Sequence, residues 1–452
     1  MTHLGWMAAI GALLLFMALS SALVRRLPLT TAMVYLGVGL LLGPAGVGLV
    51  AIDLTASPPW FLRLTEFAVI ASLYVGGLKL RLPFGNLAWR APLRLAGPAM
   101  LVTIAGLATL LHVAAGWAWP VAMVAAAILA PTDPVLAGEV AVNEAGDNDR
   151  MRYGLSGEAG LNDGTAFPFV VFGLSWLAAG SLGDWIGPWA LSRLLWAVPV
   201  GLGVGYVLGR GVGRMGIQLR HWQRDLHAPS DFLGLALIVL SYTAAEAVYA
   251  WGFLAAFAAG VGMRHAERQV AQDRPHPDLA EGDEGGPPPA EEAVPDQPEE
   301  HDLAHPAVAA GVLVSETLVF GDTLERLLEV VLVILVGVLL ATHASLFGLA
   351  VAAALFLAVR PIAVHLALLG APLSGVQRWL LGWFGIRGIG SLYYLAYALS
   401  HGLSGGDSVA VTELVVTTVA ASIVVHGISG QPLMSRYEAR LTAGEQQAAA
   451  PA

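Results

Sequence analysis

The chain has 452 residues, of which 56% are hydrophobic and only 12% charged, with a formal net charge of −10 and no cysteine. A soluble domain carries about 25% charged residues, so the composition excludes a soluble globular fold, and the absence of cysteine excludes disulfides and thiolate metal sites. No basic patch is present, which excludes nucleic acid as a partner.

Apolar runs of about 20 residues, each sufficient to cross a ~30 Å hydrocarbon core, follow one another and predict an all-α polytopic membrane protein of about thirteen transmembrane helices. The first six spans are Leu4–Val24, Thr30–Val50, Trp60–Leu80, Leu93–Ala115, Trp119–Val142 and Tyr153–Ala178. The first is long and is followed by Arg25-Arg26, so it reads as a membrane helix and not as a cleaved signal. A seventh span is Trp189–Gly211. Six more are Phe232–Tyr249, Trp251–Met263, Leu327–Ala341, Leu346–Leu369, Val376–Leu399 and Ser408–Gly430. The stretch Phe232–Met263 also reads as one long broken helix, which would leave twelve spans.

Charge asymmetry favours thirteen. With the N-terminus outside, nineteen of the 23 Lys and Arg residues fall on inner loops and helix ends, as the positive-inside rule requires. The polar stretch from Glu267 to His305, rich in Pro, Gly and acid, reads as a disordered cytoplasmic loop that exchange does not need. Its His265, His276, His301 and His305 suggest a pH sensor, against the simpler reading of a solvated tether.

Spans five and twelve are interrupted, one by Pro131 and Pro134, the other by Gly382, Gly385, Gly388 and Gly390. Interrupted helices in corresponding positions of two inverted halves point to a transporter's binding site near the bilayer midplane. Three charges converge there. Asp133, Asp163 and Arg387 lie about 14, 15 and 16 Å from the inner surface at ~1.5 Å per helical residue. Ionisable residues at that depth mark functional sites.

On a helix, Glu158 and Asn162 lie within about 40° of each other, whereas Asp163 points about 140° away from Glu158. Glu158 is therefore expected to pair with Arg387, as a structural ion pair. Asp163 is left to accept either a proton or an alkali cation, which is the minimum chemistry for exchange. Thr132, with the carbonyls freed around it, supplies further oxygen ligands. Asp133 reads as an ion ligand or as the cap of a half-helix, and Asn162 as a ligand or as a partner for freed backbone groups. Arg360 before Pro361 reads as a packing or inner-interface residue, His426 as a satisfied core histidine, and Glu246 has no evident partner. A passive channel would need a continuous pore. An intramembrane aspartyl protease would use Asp133 and Asp163 but leave Asn162 and the Glu158–Arg387 pair without a role.

At Thr132-Asp133-Pro134, Glu158 through Asn162-Asp163, Gly385-Ile386-Arg387-Gly388, His426-Gly427-Ile428-Ser429 and Trp251-Gly252-Phe253-Leu254-Ala255, the chain resembles the monovalent cation/proton antiporters. The match is to the Asn-Asp branch, which contains the NhaP-type antiporters and animal sodium/proton exchangers. The resemblance implies two inverted-topology repeats, a homodimer and elevator-like alternation of access. It implies dimerisation helices over 1–92 and 231–265, core helices over 93–180 and 345–431, and a linker helix over 181–230. The acidic loop (266–315), a tenth helix (316–344) and a cytoplasmic tail (432–452) complete the division. It also implies Asp163 as the shared carboxylate, Thr132 and Asp163 as the monovalent-cation ligands, Asn162 and Asp133 beside them, and Glu158 paired with Arg387.

The expected function is electroneutral sodium (lithium)/proton antiport in the cell membrane, with cations, protons and the lipid bilayer as partners, no cofactor and no enzymatic reaction. Potassium/proton antiport is the alternative. Ala159 stands where many relatives carry Ser, whose hydroxyl can contact the ion.

Overall fold

The computed structural model describes residues 30–54, 58–82, 85–133, 149–226, 229–277 and 288–449, with 11, 15, 136, 140 and 142 singly. At Asp163 and over 443–449 it describes the backbone alone. The predicted span Leu4–Val24 (Gly11 and Leu15 apart), Pro134 and the acidic run beginning at Glu281 lie outside the described residues.

Among the described residues the fold has thirteen helices and no strand. They are α1 (Thr31–Leu42), α2 (Pro59–Lys79), α3 (Leu87–Ala115), α4 (Trp119–Leu129), α5 (Arg150–Ala179), α6 (Ile186–Gln223) and α7 (Ser230–Ala247). Then come α8 (Gly252–Asp273), α9 (Pro306–His343), α10 (Leu346–Ala367), α11 (Gly375–Trp383), α12 (Ile389–Ser400) and α13 (Gly405–Ala449). Local chemistry sets many of the ends. Asp149 caps α5 by accepting from the Met151 and Arg152 N–H groups. Ser374 and Gln377 form a reciprocal capping box on α11, satisfying donors that the helix itself cannot. Gly116 and Gly180 end α3 and α5 in the left-handed conformation that glycine adopts without strain. Inside α3 and α10, widened π turns at Leu95–Ala99 and Leu355–Val359 accompany Pro98 and Pro361. Proline lacks an N–H and crowds the carbonyl four residues back, and a π turn relieves both.

The Phe232–Met263 stretch is two helices, not one. They separate at Tyr249, whose φ is 58°, and the Glu246 carboxylate accepts the Gly252 N–H at the start of α8. This gives Glu246 the partner that the sequence did not reveal.

Helices α1, α2 and α6–α9 pack on one another, and α3–α5 with α10–α13 form a second group. Within the first group, backbones touch. A Cβ on Gly205 or Gly209 of α6 would lie 2.0 Å from the Ala255 or Ala259 carbonyl oxygen of α8. The helix expected as a linker makes these contacts along one face. Between the groups the contact differs: Gly160 and Gly164 of α5 face the side-chain tips of Phe257 and Leu254.

The loop expected to be disordered is instead largely folded. Helix α8 continues to Asp273, α9 begins at Pro306, and residues 288–305 lie against both. Arg264, fully buried, donates to Glu291 (2.6 Å) and to the Leu78 carbonyl (2.6 Å). Glu267, also fully buried, accepts from Arg81 and from the Ala290 N–H. Ala293 and Leu303 pack with Val308, Ala309 and Val312 of α9. Average composition hid these few anchoring residues. His305 accepts the Ala307 N–H at the start of α9, and His221 of α6 bonds the Leu303 carbonyl. Burial, then the neighbouring His276, His221 and Arg274, hold His305 below the ordinary histidine value, which suits that accepting role.

Replacing Gln269–Glu300 with a Gly/Ser linker is therefore expected to destabilise the protein. Losing the Arg264–Glu291 bond and the bond that Arg81 also donates to the Pro288 carbonyl (2.8 Å) costs roughly 1.5–3 kcal/mol each. Thermal unfolding in detergent measures it, and an unchanged midpoint would restore the solvated-tether reading.

Candidate functional site

The site is built where two chain breaks cross. Helix α4 stops at Leu129, and residues 130–133 continue without helical structure. Helix α11 stops at Trp383, and α12 resumes at Ile389. The segments touch through their backbones: the Asp133 N–H donates to the Ile386 carbonyl at 2.8 Å. Non-helical backbone at membrane depth survives only where protein or a cavity satisfies it, and the side chains here do that work. Asp133 accepts the Leu136 N–H (3.0 Å) with one carboxylate oxygen and the Gly390 N–H (3.2 Å) with the other. A Cβ on Gly388 would lie 2.8 Å from that second oxygen, so glycine there is what lets the carboxylate approach the start of α12. Ser391 donates to the Ile128 carbonyl, and the Ser422 hydroxyl accepts the Arg387 N–H, both at 2.8 Å. His426 holds the other side of the break. Its ring nitrogens meet the Ser422 and Trp383 carbonyls at 3.0 Å, and it is 3% exposed.

Thr132, Glu158, Asn162 and Arg387 are each 0% exposed. The expected Glu158–Arg387 pair is replaced by another. Both carboxylate oxygens of Glu158 are held by Arg360, at 2.5 and 2.7 Å, and Arg360 also donates to the Leu381 carbonyl. Arg387 reaches this pair through Thr132: it donates to the Thr132 hydroxyl at 3.2 Å, which makes a long 3.4 Å contact to Glu158. The reason is geometric. The π turn at Leu355–Val359 precedes Arg360 directly and shifts the helical phase, carrying Arg360 inward. Gly385 leaves the space the guanidinium crosses, since a Cβ there would lie 3.0 Å from its Nε. Arg360 is thus the site residue that the sequence reading missed, and Pro361, which accompanies the π turn, was the available signal.

Asn162 is brought to the same place, with neither end of its carboxamide hydrogen-bonded among the described residues. Asp163 follows it on α5. Ala159 is buried and, as the sequence requires, offers no hydroxyl. No group of three or more His, Asp or Glu residues forms a resident metal centre among the described residues. The Thr132 hydroxyl, the Asp133 carboxylate and the Asn162 amide oxygen around the crossing are the donors that a hard cation favours.

An all-helical membrane protein with two crossed breaks lined by buried ionisable groups is the architecture of a secondary transporter. Residues 11–275 match the family model described as "Sodium/hydrogen exchanger, transmembrane", and the chain belongs to that family. The fold is similar to a structure of the sodium proton antiporter MjNhaP1 from Methanocaldococcus jannaschii at pH 8, with a TM-score of 0.66. That match has 17% identity and covers 95% of this chain and 98% of the other. An electron-microscopy map of the same antiporter gives a TM-score of 0.67 at 18% identity, over 96% and 98% of the two chains.

Proposed function

We propose that the protein exchanges a monovalent cation, sodium or lithium, for a proton at Asp163, by alternating access and without net movement of charge. The observation that carries this reading is the crossing of the two chain breaks at Asp133 and Ile386, with Thr132 and Asn162 buried beside it. Asp163 follows on the same helix and has the opposite helical phase from the Arg360-bound Glu158. One carboxylate that holds either a proton or a cation gives one-for-one exchange.

Division of labour follows from the contacts. Glu158 and Arg360 neutralise one another, Asp133 fixes the broken backbone, and Thr132 and Asn162 stand as further oxygen ligands. The side-chain contact of Phe257 and Leu254 on the α5 glycines, against backbone contact inside the α6–α8 pair, supports motion of one helix group past the other. In this reading the protein is a homodimer, the N-terminus is outside, and the arginine-rich loops face the cytoplasm. Ala159 removes one hydroxyl ligand and keeps potassium as the alternative cargo.

The test uses purified protein in liposomes holding a pH gradient. Sodium or lithium is expected to drive proton movement that an imposed voltage leaves unchanged. A response to potassium alone would exchange the two cargoes, and no response to any alkali cation would overturn the proposal.

A further inference from the structure

Helices that take no part in the crossing carry a second set of ionisable groups. On α2, Lys79 Nζ lies 2.8 Å from Asp322 Oδ1 and 3.8 Å from Glu325 Oε2 of α9. Gly321 brings the two helices close, because a Cβ there would meet Val75 at 2.6 Å. One turn further along α9, Glu325 faces Ser72. The Ser72 hydroxyl is 2% exposed and closes no hydrogen bond of ordinary geometry, yet it lies against the Glu325 carboxylate. A buried hydroxyl costs free energy unless something accepts from it or donates to it, so it is an oxygen ligand in waiting.

The group is not a sealed core pair. The side chains of Lys79, Asp322 and Glu325 are 20%, 37% and 13% exposed. Two carboxylates face one ammonium, with Arg326 as the next nearest cation. Helix α2, which carries Ser72 and Lys79, also packs against α12, the helix that resumes after the break. Two carboxylates and a hydroxyl form the all-oxygen donor set of a hard cation.

We propose that Glu325, Asp322 and the Ser72 hydroxyl form a second binding site for the monovalent cation, between the arginine-rich face and the crossing, where Lys79 is the tethered ammonium that the cation displaces. The inference rests on the cation/proton exchange proposed above. It adds a waiting position on helices that do not carry the exchanging carboxylate. No covalent chemistry is involved: one monovalent cation replaces another at two carboxylates.

Lys79 gives the test its direction. Glu325→Gln keeps the shape and removes one charge, and is expected to raise the cation concentration for half-maximal exchange about tenfold, the effect of ~1.4 kcal/mol, with the rate at saturating cation retained. Lys79→Met removes the competitor and is expected to lower that concentration. A merely structural ion pair predicts the reverse for Lys79→Met, with weaker exchange and a lower unfolding temperature, and that result would overturn the site.

Binding is read separately from transport. In an Asp163→Asn background, sodium or potassium chloride is expected to raise the unfolding temperature above that in choline chloride, and adding Glu325→Gln is expected to remove the difference. Wild-type exchange together with an unchanged Glu325→Gln response overturns the second site alone. A wild-type protein that exchanges nothing overturns the proposed function and leaves the salt-dependent unfolding to decide whether the cation site exists.

Discussion

Asp163→Asn is expected to reduce cation-driven proton movement to the rate of protein-free liposomes. The substitution keeps the size of the side chain and its place after Asn162 on α5, and removes only the charge. An amide can neither neutralise an alkali cation nor carry a proton across, so both half-reactions stop together. In the wild-type protein, competition at one carboxylate should weaken apparent cation affinity as pH falls, by up to about tenfold per unit in the acid range. Asp163→Glu keeps the charge but lengthens the side chain by a methylene, and should retain slow exchange with altered cation preference. The measurement is cation-induced pH change in vesicles, with the variants shown by size-exclusion chromatography to be folded. Near-wild-type exchange by Asp163→Asn would transfer the role to another carboxylate. Asp133 is the first candidate by depth, but its two oxygens already hold the Leu136 and Gly390 N–H groups. A cation there would have to release the start of α12.

The sequence makes the membrane character, the helix class and the two breaks legible because each rests on local chemistry. Runs of apolar residues define spans, and Pro131 with Pro134 and the Gly385–Gly390 glycines mark where helices cannot continue. Depth is legible as well, since rise per residue is fixed, and it brings Asp133 and Arg387 to one level. Azimuth is not. Which arginine meets Glu158 depends on how separate helices are rotated, and one π turn before Arg360 changes that rotation with no marker beyond Pro361. The start of α9 was hidden for a related reason. The division read from the sequence ends the loop at 315 and starts the tenth helix at 316, but that helix begins at Pro306, and Lys79 of α2 is paired to its Asp322. The segment 288–305 shows the same limit. Its acid-rich composition describes a solvated loop on average, whereas its packing is decided by Ala290, Glu291 and Leu303, which meet partners far away in the sequence.

Removing either member of the Glu158–Arg360 pair should be among the most destabilising single substitutions in this protein. Both side chains are essentially excluded from solvent, at 0% and 1% exposure, and two hydrogen bonds join them. Glu158→Gln leaves the Arg360 guanidinium without its counter-charge. Arg360→Ala leaves the Glu158 carboxylate facing only Thr132 and, beyond it, Arg387. An uncompensated buried charge typically costs ~3–5 kcal/mol, and each variant should unfold at a markedly lower temperature. The pair Glu158→Gln with Arg360→Met removes both charges and fills part of the space, so its loss should be clearly smaller than the sum of the single losses. The same cycle run on Glu158 and Arg387 separates the two pairing schemes. Arg387 reaches Glu158 only through the Thr132 hydroxyl, by contacts of 3.2 and 3.4 Å, so its coupling energy with Glu158 should be well below that of Arg360. Additive losses for Glu158 with Arg360, or stronger coupling to Arg387, would show that Glu158 is held by Arg387 in solution, the pairing that depth along the helices alone suggests. Coupling to Arg360 would show instead that the π turn of α10 decides which arginine neutralises the carboxylate five residues before Asp163.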